Sequence, residues 1–263
     1  MEPSFSKEIN VAKHQKFTIS NPLSISRRKT LEVVVEAVAL VPKCGDYCFH
    51  RRDIWRVARA ADYLRAFPSH TALLVSVEVC SLTLQRKDKS VANVIASGLF
   101  ADGAAAALLT GGARFDSSPS PRVVTSRSMF FPDTEEMMGW RLTDTGFQIV
   151  LSAGVPDLVR RNLRQGVDSF LSDQGLALTD ISHWLAHTGG PKVLQAMEVA
   201  LELPRCALAR SWKSLAALGN LSSASVLHVA ADFMDSKTAC RGDFGLLLSL
   251  GPGFCGELVL LQW

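Results

Sequence analysis

Three stretches of the sequence hold side chains able to do chemistry. "YCFHRRDIW", residues 47–55, sets Cys48 beside His50, Arg51 and Arg52. Cationic neighbours favour the thiolate, the nucleophilic form of cysteine. Cys48 therefore reads as a candidate nucleophile, with a metal ligand or an ordinary buried thiol as the alternatives. "HWLAHTGGPKVL" sets His187 at the end of a strand-like run, ahead of Gly189, Gly190 and Pro191. Open α/β sheets take their ligands at the carboxyl ends of strands, and glycines let backbone approach closely. "GNLSSASVL" sets Asn220 between Gly219 and a helix start capped at Ser222-Ser223. An asparagine there can serve its turn, or donate a side-chain N–H to an oxygen that becomes negative in a reaction. Taken singly, His187 reads as a core or capping histidine and Asn220 as a turn residue.

Other chemistries find less in the sequence. Cys44 and Cys48 with His50 make half a zinc site, but no second ligand pair follows at metal-site spacing, so no metal is expected. The six cysteines are scattered through apolar surroundings, which fits reduced thiols in the cytoplasm better than a disulfide framework. The net charge of +3 is spread over both signs without a basic stripe, so nucleic acid is not an expected partner. Residues 1–20 carry charges and no apolar core of a secretory signal. No run reaches the ~18 apolar residues of a membrane span.

The elements that must position these residues alternate along the chain. Residues 32–41, "EVVVEAVALV", read as a strand. Ile54, Val57, Ala58, Ala61 and Leu64 recur at helical spacing over 52–67, and Pro68 stops that helix. Residues 72–84 are an almost unbroken apolar run, as in a strand covered on both faces. A helix over 90–100, a turn at Asp102-Gly103 and a strand follow, and then a surface link over 111–126. Pro156 opens a helix, 181–187 read as a strand, and Pro191 opens a helix over 191–203. One further helix ends at Gly219, and another runs from Ser222-Ser223 to about Met234. Two apolar strands flanking Gly251-Pro252-Gly253 close the chain as a hairpin. The alternation predicts an α/β protein of layered halves with mixed sheets between helices.

"HTGGP", "GNLSSA" and a terminal "GPG", in that order, resemble the type III polyketide synthases, the chalcone synthase-like branch of the thiolase fold. "GLFADGAAAALLTGG" and "MGWRLTDTGFQIVLSAGVPDLV" resemble the bacterial form of that family. The resemblance runs from about Ala58 to Trp263. It implies a thiolase-like αβαβα architecture of two similar halves, the N-terminal one incomplete. The segments would be a divergent stretch at 1–55, a remnant of the N-terminal half at 56–125 and a C-terminal half at 126–263. It implies decarboxylating condensation of malonyl-CoA onto an acyl-CoA, in a homodimer, with no separate cofactor. It implies His187 and Asn220 as catalytic, Phe100 as a gating phenylalanine and Phe147 as a second one. Cys80, Thr83, Ser222 and the Gly251, Pro252, Gly253 turn would line the substrate cavity.

The nucleophile does not fit this pattern. Asp62 and Glu78 match acidic residues of the family, and counting back from them puts the cysteine's place on His50 rather than Cys48. Arg51, Arg52, Asp53, Ile54 and Trp55 stand where small residues are expected, and such bulk does not suit a tightly packed helix start. Either residues 1–55 are a divergent or frame-changed start, or Cys48 takes over after a two-residue slip. The chain is expected to have little or no activity by itself. Two alternatives remain: a non-catalytic paralogue or gene remnant that keeps the fold, and a β-ketoacyl synthase III-like enzyme. The latter shares the cysteine, histidine and asparagine but not "MGWRLTDTGF" or the "GPG" hairpin.

Overall fold

A computed structural model describes residues 54–114 and 120–263. Cys48, His50 and the strand expected over 32–41 lie outside the described residues. The first helix, α1, spans Ile54–Ala66 and buries Ile54, Val57, Ala58, Ala61 and Leu64, the stripe its spacing predicts. Strand β1 (Thr71–Glu78) pairs antiparallel with β2 (Gly103–Thr110), and helix α2 (Val91–Leu99) connects them. Ser90 caps α2 by accepting the Asn93 N–H at 3.2 Å, which satisfies one of the helix's free amides.

The larger sheet is mixed. Strands β3 (Arg122–Phe130), β6 (Ile181–Ala186), β7 (Phe244–Gly251) and β8 (Cys255–Gln262) lie in the order β3-β8-β7-β6. Only the β6–β7 pair is parallel. Along β7 and β8 the side chains alternate between two cores. Leu246, Leu248, Leu258 and Leu260 face helices α3 (Val155–Ser172) and α4 (Pro191–Ala200). Leu247, Val259 and Leu261 face α1 and α6 (Ala224–Ser236), against which β1 and β2 also pack. Burial on both faces explains why these strands read as continuous apolar runs. Each such leucine contributes about 2 kcal/mol on burial. The layers are therefore helices, sheet, helices and the two-stranded sheet.

Three expectations change. The apolar run over 72–84 is a strand only to Glu78, and Cys80–Thr83 form a short 3-10 turn. Asp102 draws the chain out of the strand, accepting from the Ser81 N–H at 2.7 Å and the Ser81 hydroxyl at 2.6 Å. The link expected over 111–126 gives way to β3 at Arg122, whose ladder to β8 runs to Phe130. Ser223 stands at the N-cap of α6, but its hydroxyl does not cap. It donates to Glu78, while Ser76 contacts it at 2.8 Å, so the residue fastens α6 to β1 instead. One pair escaped the sequence reading: β4 (Met138–Thr143) and β5 (Gly146–Leu151) form an antiparallel hairpin. No helix among the described residues is long and apolar enough to cross a membrane.

Candidate active site

Two loops converge on the end of α2, one leaving strand β6 and one leaving a helix. The first follows β6. His187 extends the parallel ladder by one rung, its N–H donating to Leu248 O at 2.8 Å. Gly190 then turns with φ +139° into Pro191, the first residue of α4. A Cβ at Gly190 would stand 3.3 Å from Leu99 Cδ2, so glycine lets this loop lie against the end of α2. The second loop follows α5 (Ala209–Leu218). Gly219 has φ +74°, and a Cβ there would meet the Leu99 carbonyl at 2.9 Å. Both loops thus close on Leu99.

Asn220 is held from three sides. Its N–H donates to Leu99 O at 2.8 Å and its carbonyl accepts from the Ala101 N–H at 2.9 Å. These bonds bracket Phe100, which forms an isolated parallel bridge with Asn220. The Ser222 N–H donates to Asn220 Oδ1 at 2.8 Å, and Ser222 adopts a left-handed φ of +50° to do so. With Oδ1 occupied, Nδ2 is the end of the carboxamide left to donate. Asn220 is buried, at 3% exposure.

His187 is also buried, and burial alone pushes its imidazole down to about pKa 4. It is neutral at physiological pH, with one N–H to donate and one lone pair. Beside it Thr188 is wholly enclosed, and its hydroxyl has no partner among the described residues.

Next to Asn220 opens a cleft of about 310 Å3. Cys80, Thr83 and Phe100 line it together, with Leu84, Asp102 and Ile149. The lining does not include His187, Asn220, Ser222, Phe147 or the Gly251–Gly253 turn. Phe147 is 52% exposed, two residues before Ile149 on β5. The Gly251–Gly253 turn packs elsewhere: the Gly253 N–H donates to Met138 O at 3.2 Å, at the base of the β4–β5 hairpin. Cys80 is a poor nucleophile. Burial, then the charges of Glu78 and Asp102, push its thiol up to about pKa 11. Sequence reasoning missed Leu99, Ile149 and Ser76: the first two lie inside the quoted motifs but are ordinary apolar residues there, and Ser76 lies in no motif.

No group of three or more His, Cys, Asp and Glu side chains able to hold a metal ion occurs among the described residues. A mixed four-stranded sheet layered between helices, with two loops closing on the end of α2, is a thiolase-like α/β fold. The chain belongs to the chalcone and stilbene synthases: residues 122–263 match the C-terminal domain of that family. It is similar to the 1,3,6,8-tetrahydroxynaphthalene synthase of Streptomyces peucetius subsp. caesius, 51% identical over 211 residues that cover 79% of this chain and 55% of the relative. The 3,5-dihydroxyphenylacetyl-CoA synthase of Streptomyces toyocaensis is 33% identical over 208 residues, 77% of this chain and 53% of the relative. Among solved structures, the bacterial type III polyketide synthase 1,3,6,8-tetrahydroxynaphthalene synthase of Streptomyces coelicolor A3(2) matches with a TM-score of 0.75 and 31% identity. That match covers 80% of this chain and 59% of the solved one. The chain spans little more than half the length of these curated relatives.

Proposed function

We propose that this chain carries the enolate-forming part of a type III polyketide synthase site, acting on malonyl-CoA with an acyl-CoA as acceptor. The carrying observation is the carboxamide of Asn220, locked through Oδ1 so that Nδ2–H is its remaining donor beside the Phe100 wall of the cleft. Decarboxylation breaks the bond between the malonyl carboxylate and the α-carbon. CO2 leaves, and the electron pair passes onto the thioester oxygen. The Asn220 Nδ2–H and the N–H of neutral His187 are the donors assigned to that oxygen. A neutral imidazole in a dry site suits this role, because fixed donors there need no reorganisation. The enolate carbon then attacks the acyl carbonyl, forming the new carbon–carbon bond as the acyl group leaves its sulfur.

The cleft of about 310 Å3 is at the small end of ligand pockets, which supports a short polyketide over a long acyl chain. The likeness to tetrahydroxynaphthalene synthase supports a small polyhydroxylated aromatic product. The division into 56–125 and 126–263 halves and a cytoplasmic homodimer belong to the same proposal. Leu73, Val75, Val77 and Leu108 make an open apolar face on the small sheet, and this supports association of copies. Family membership takes the place of the β-ketoacyl synthase III-like alternative.

Condensation by this chain alone is proposed to be low. Counting back from Asp62 and Glu78 gives His50 as the place of the nucleophilic cysteine, and the unactivated thiol of Cys80 supports no substitute. The test is incubation with malonyl-CoA and a fatty or aromatic acyl-CoA, with mass spectrometry for pyrones and for an acyl adduct. Rapid turnover that disappears in Cys48→Ala overturns the assignment of the nucleophile's place. Absence of both CO2 release and CoA binding favours a non-catalytic paralogue.

A further inference from the structure

We infer that Gln85 is a positioning residue that fixes the aperture of the cleft by clasping the tip of the β4–β5 hairpin. This rests on the reading of the cleft as the polyketide site, though the clasp itself is geometric. The Gln85 amide makes three bonds to the hairpin. Nε2 donates to Thr145 O at 3.2 Å and to Phe147 O at 3.1 Å, while Oε1 accepts from the Thr145 hydroxyl at 2.6 Å. Two carbonyl acceptors fix which end of the amide carries the hydrogens. The Gln85 carbonyl is itself held, accepting from Asn93 Nδ2 at 2.9 Å. Asn93 and Leu84 line the cleft, and so does Ile149, two residues beyond the clasped Phe147 carbonyl. Gln85 therefore ties one wall of the cleft to the opposite one. A second bond, from Gln148 Nε2 to Asp88 Oδ2 at 3.1 Å, runs alongside.

The hairpin has few other fastenings near its tip. Its base is held by the Ser152 N–H donating to Met137 O at 2.8 Å and by the Gly253 N–H on Met138 O. Between base and tip, Leu142 and Phe147 are mostly exposed. Releasing the Gln85 amide leaves the Gln148–Asp88 bond to hold the tip, which loosens about the base, and Ile149 moves with it.

Cys80 lies in the cleft and reports its opening without any need for catalysis. The experiment compares alkylation of Cys80 by iodoacetamide at pH 9, mapped by mass spectrometry, in the wild type and in Gln85→Ala, Gln85→Glu and Gln85→Met. The exposed Cys206 and Cys240 serve as internal controls. Hydrogen exchange over 143–149 is followed in parallel. We expect at least threefold faster labelling of Cys80 and faster exchange at 143–149 in all three variants. Labelling of Cys206 and Cys240, and exchange in α3 and β6–β8, stay unchanged. Gln85→Glu is the discriminating case. It keeps the side chain's size but sets a carboxylate against two carbonyls, so a space-filling role predicts wild-type behaviour there. Wild-type labelling in Gln85→Glu and Gln85→Met, or labelling that rises equally at all three cysteines, overturns the inference. A wild-type chain inert toward malonyl-CoA counts against the proposed function and leaves this test intact.

Discussion

The Ser222 N–H donates to Asn220 Oδ1 at 2.8 Å, so the backbone just beyond the asparagine decides which way its carboxamide points. This separates the amide's two ends into one structural acceptor and one available donor. Asn220→Asp keeps the acceptor and deletes the donor. We expect the fold to survive and release of CO2 from malonyl-CoA to fall by a factor of about 10²–10³, the usual cost of one such donor. Acetyl-CoA formation, followed by chromatography, measures this without requiring condensation. A rate within threefold of wild type removes Asn220 from the chemistry.

His187 gives a pH dependence with a definite sign. In the unfolded chain it takes up a proton as pH falls through 6.5, whereas in the folded chain burial withholds that proton until about 4. Its contribution to stability is therefore full above pH 6.5 and is lost progressively between there and pH 4. The slope is about 1.4 kcal/mol per pH unit, so the loss is on the order of 3 kcal/mol across the window. Asp88, Asp102, Asp232 and Asp243 all have carboxyls held below their ordinary value of 3.8, so their losses come at lower pH. Urea denaturation of wild type and His187→Gln at pH 7 and pH 5 tests the assignment. The variant should show the smaller difference between the two pH values.

Much of this was legible in the sequence, for physical reasons that can be named. Gly219 and Pro191 mark helix ends through backbone chemistry local to each residue, and both fall where expected. The end of β1 was not legible. Val79, Leu82 and Leu84 continue its apolar run, and Asp102, brought close by the fold, holds the chain in a turn at Ser81. The β4–β5 hairpin was missed because its strands lie half exposed at the edge of the core, where apolar alternation is weak. Phe147 is the second gating phenylalanine that the resemblance implies, but the cleft takes its wall from Ile149, whose role comes from strand register.

Cys80 should react slowly and with a steep pH dependence. Raising a thiol from its ordinary 9.0 to about 11 cuts the thiolate fraction at pH 8 roughly a hundredfold. Alkylation at Cys80 should then climb about tenfold per pH unit up to pH 10. Removing a neighbouring negative charge by Asp102→Asn should speed it further at fixed pH. Equal rates at Cys80 and Cys206 at pH 8 contradict the buried, anionic surroundings described for Cys80.

Gly219 holds the Asn220 loop against α2, and two separate costs attach to replacing it. Its φ of +74° disfavours any side chain, and a Cβ would stand 2.9 Å from the Leu99 carbonyl, the same oxygen that accepts the Asn220 N–H. Backbone cannot swing aside as a flexible side chain does, so Leu99 or Asn220 must shift. Gly175 offers the comparison, since it has φ +69° with nothing within 4 Å of its virtual Cβ. Gly175→Ala should cost about 1 kcal/mol from backbone strain alone. Gly219→Ala should cost about 2–4 kcal/mol, and a thermal melt should show a drop of very roughly 5–15 °C. It should also depress CO2 release from malonyl-CoA, because the displaced loop carries the donor. Equal stability losses in the two variants would mean that the approach of Gly219 to Leu99 does not hold the loop in place.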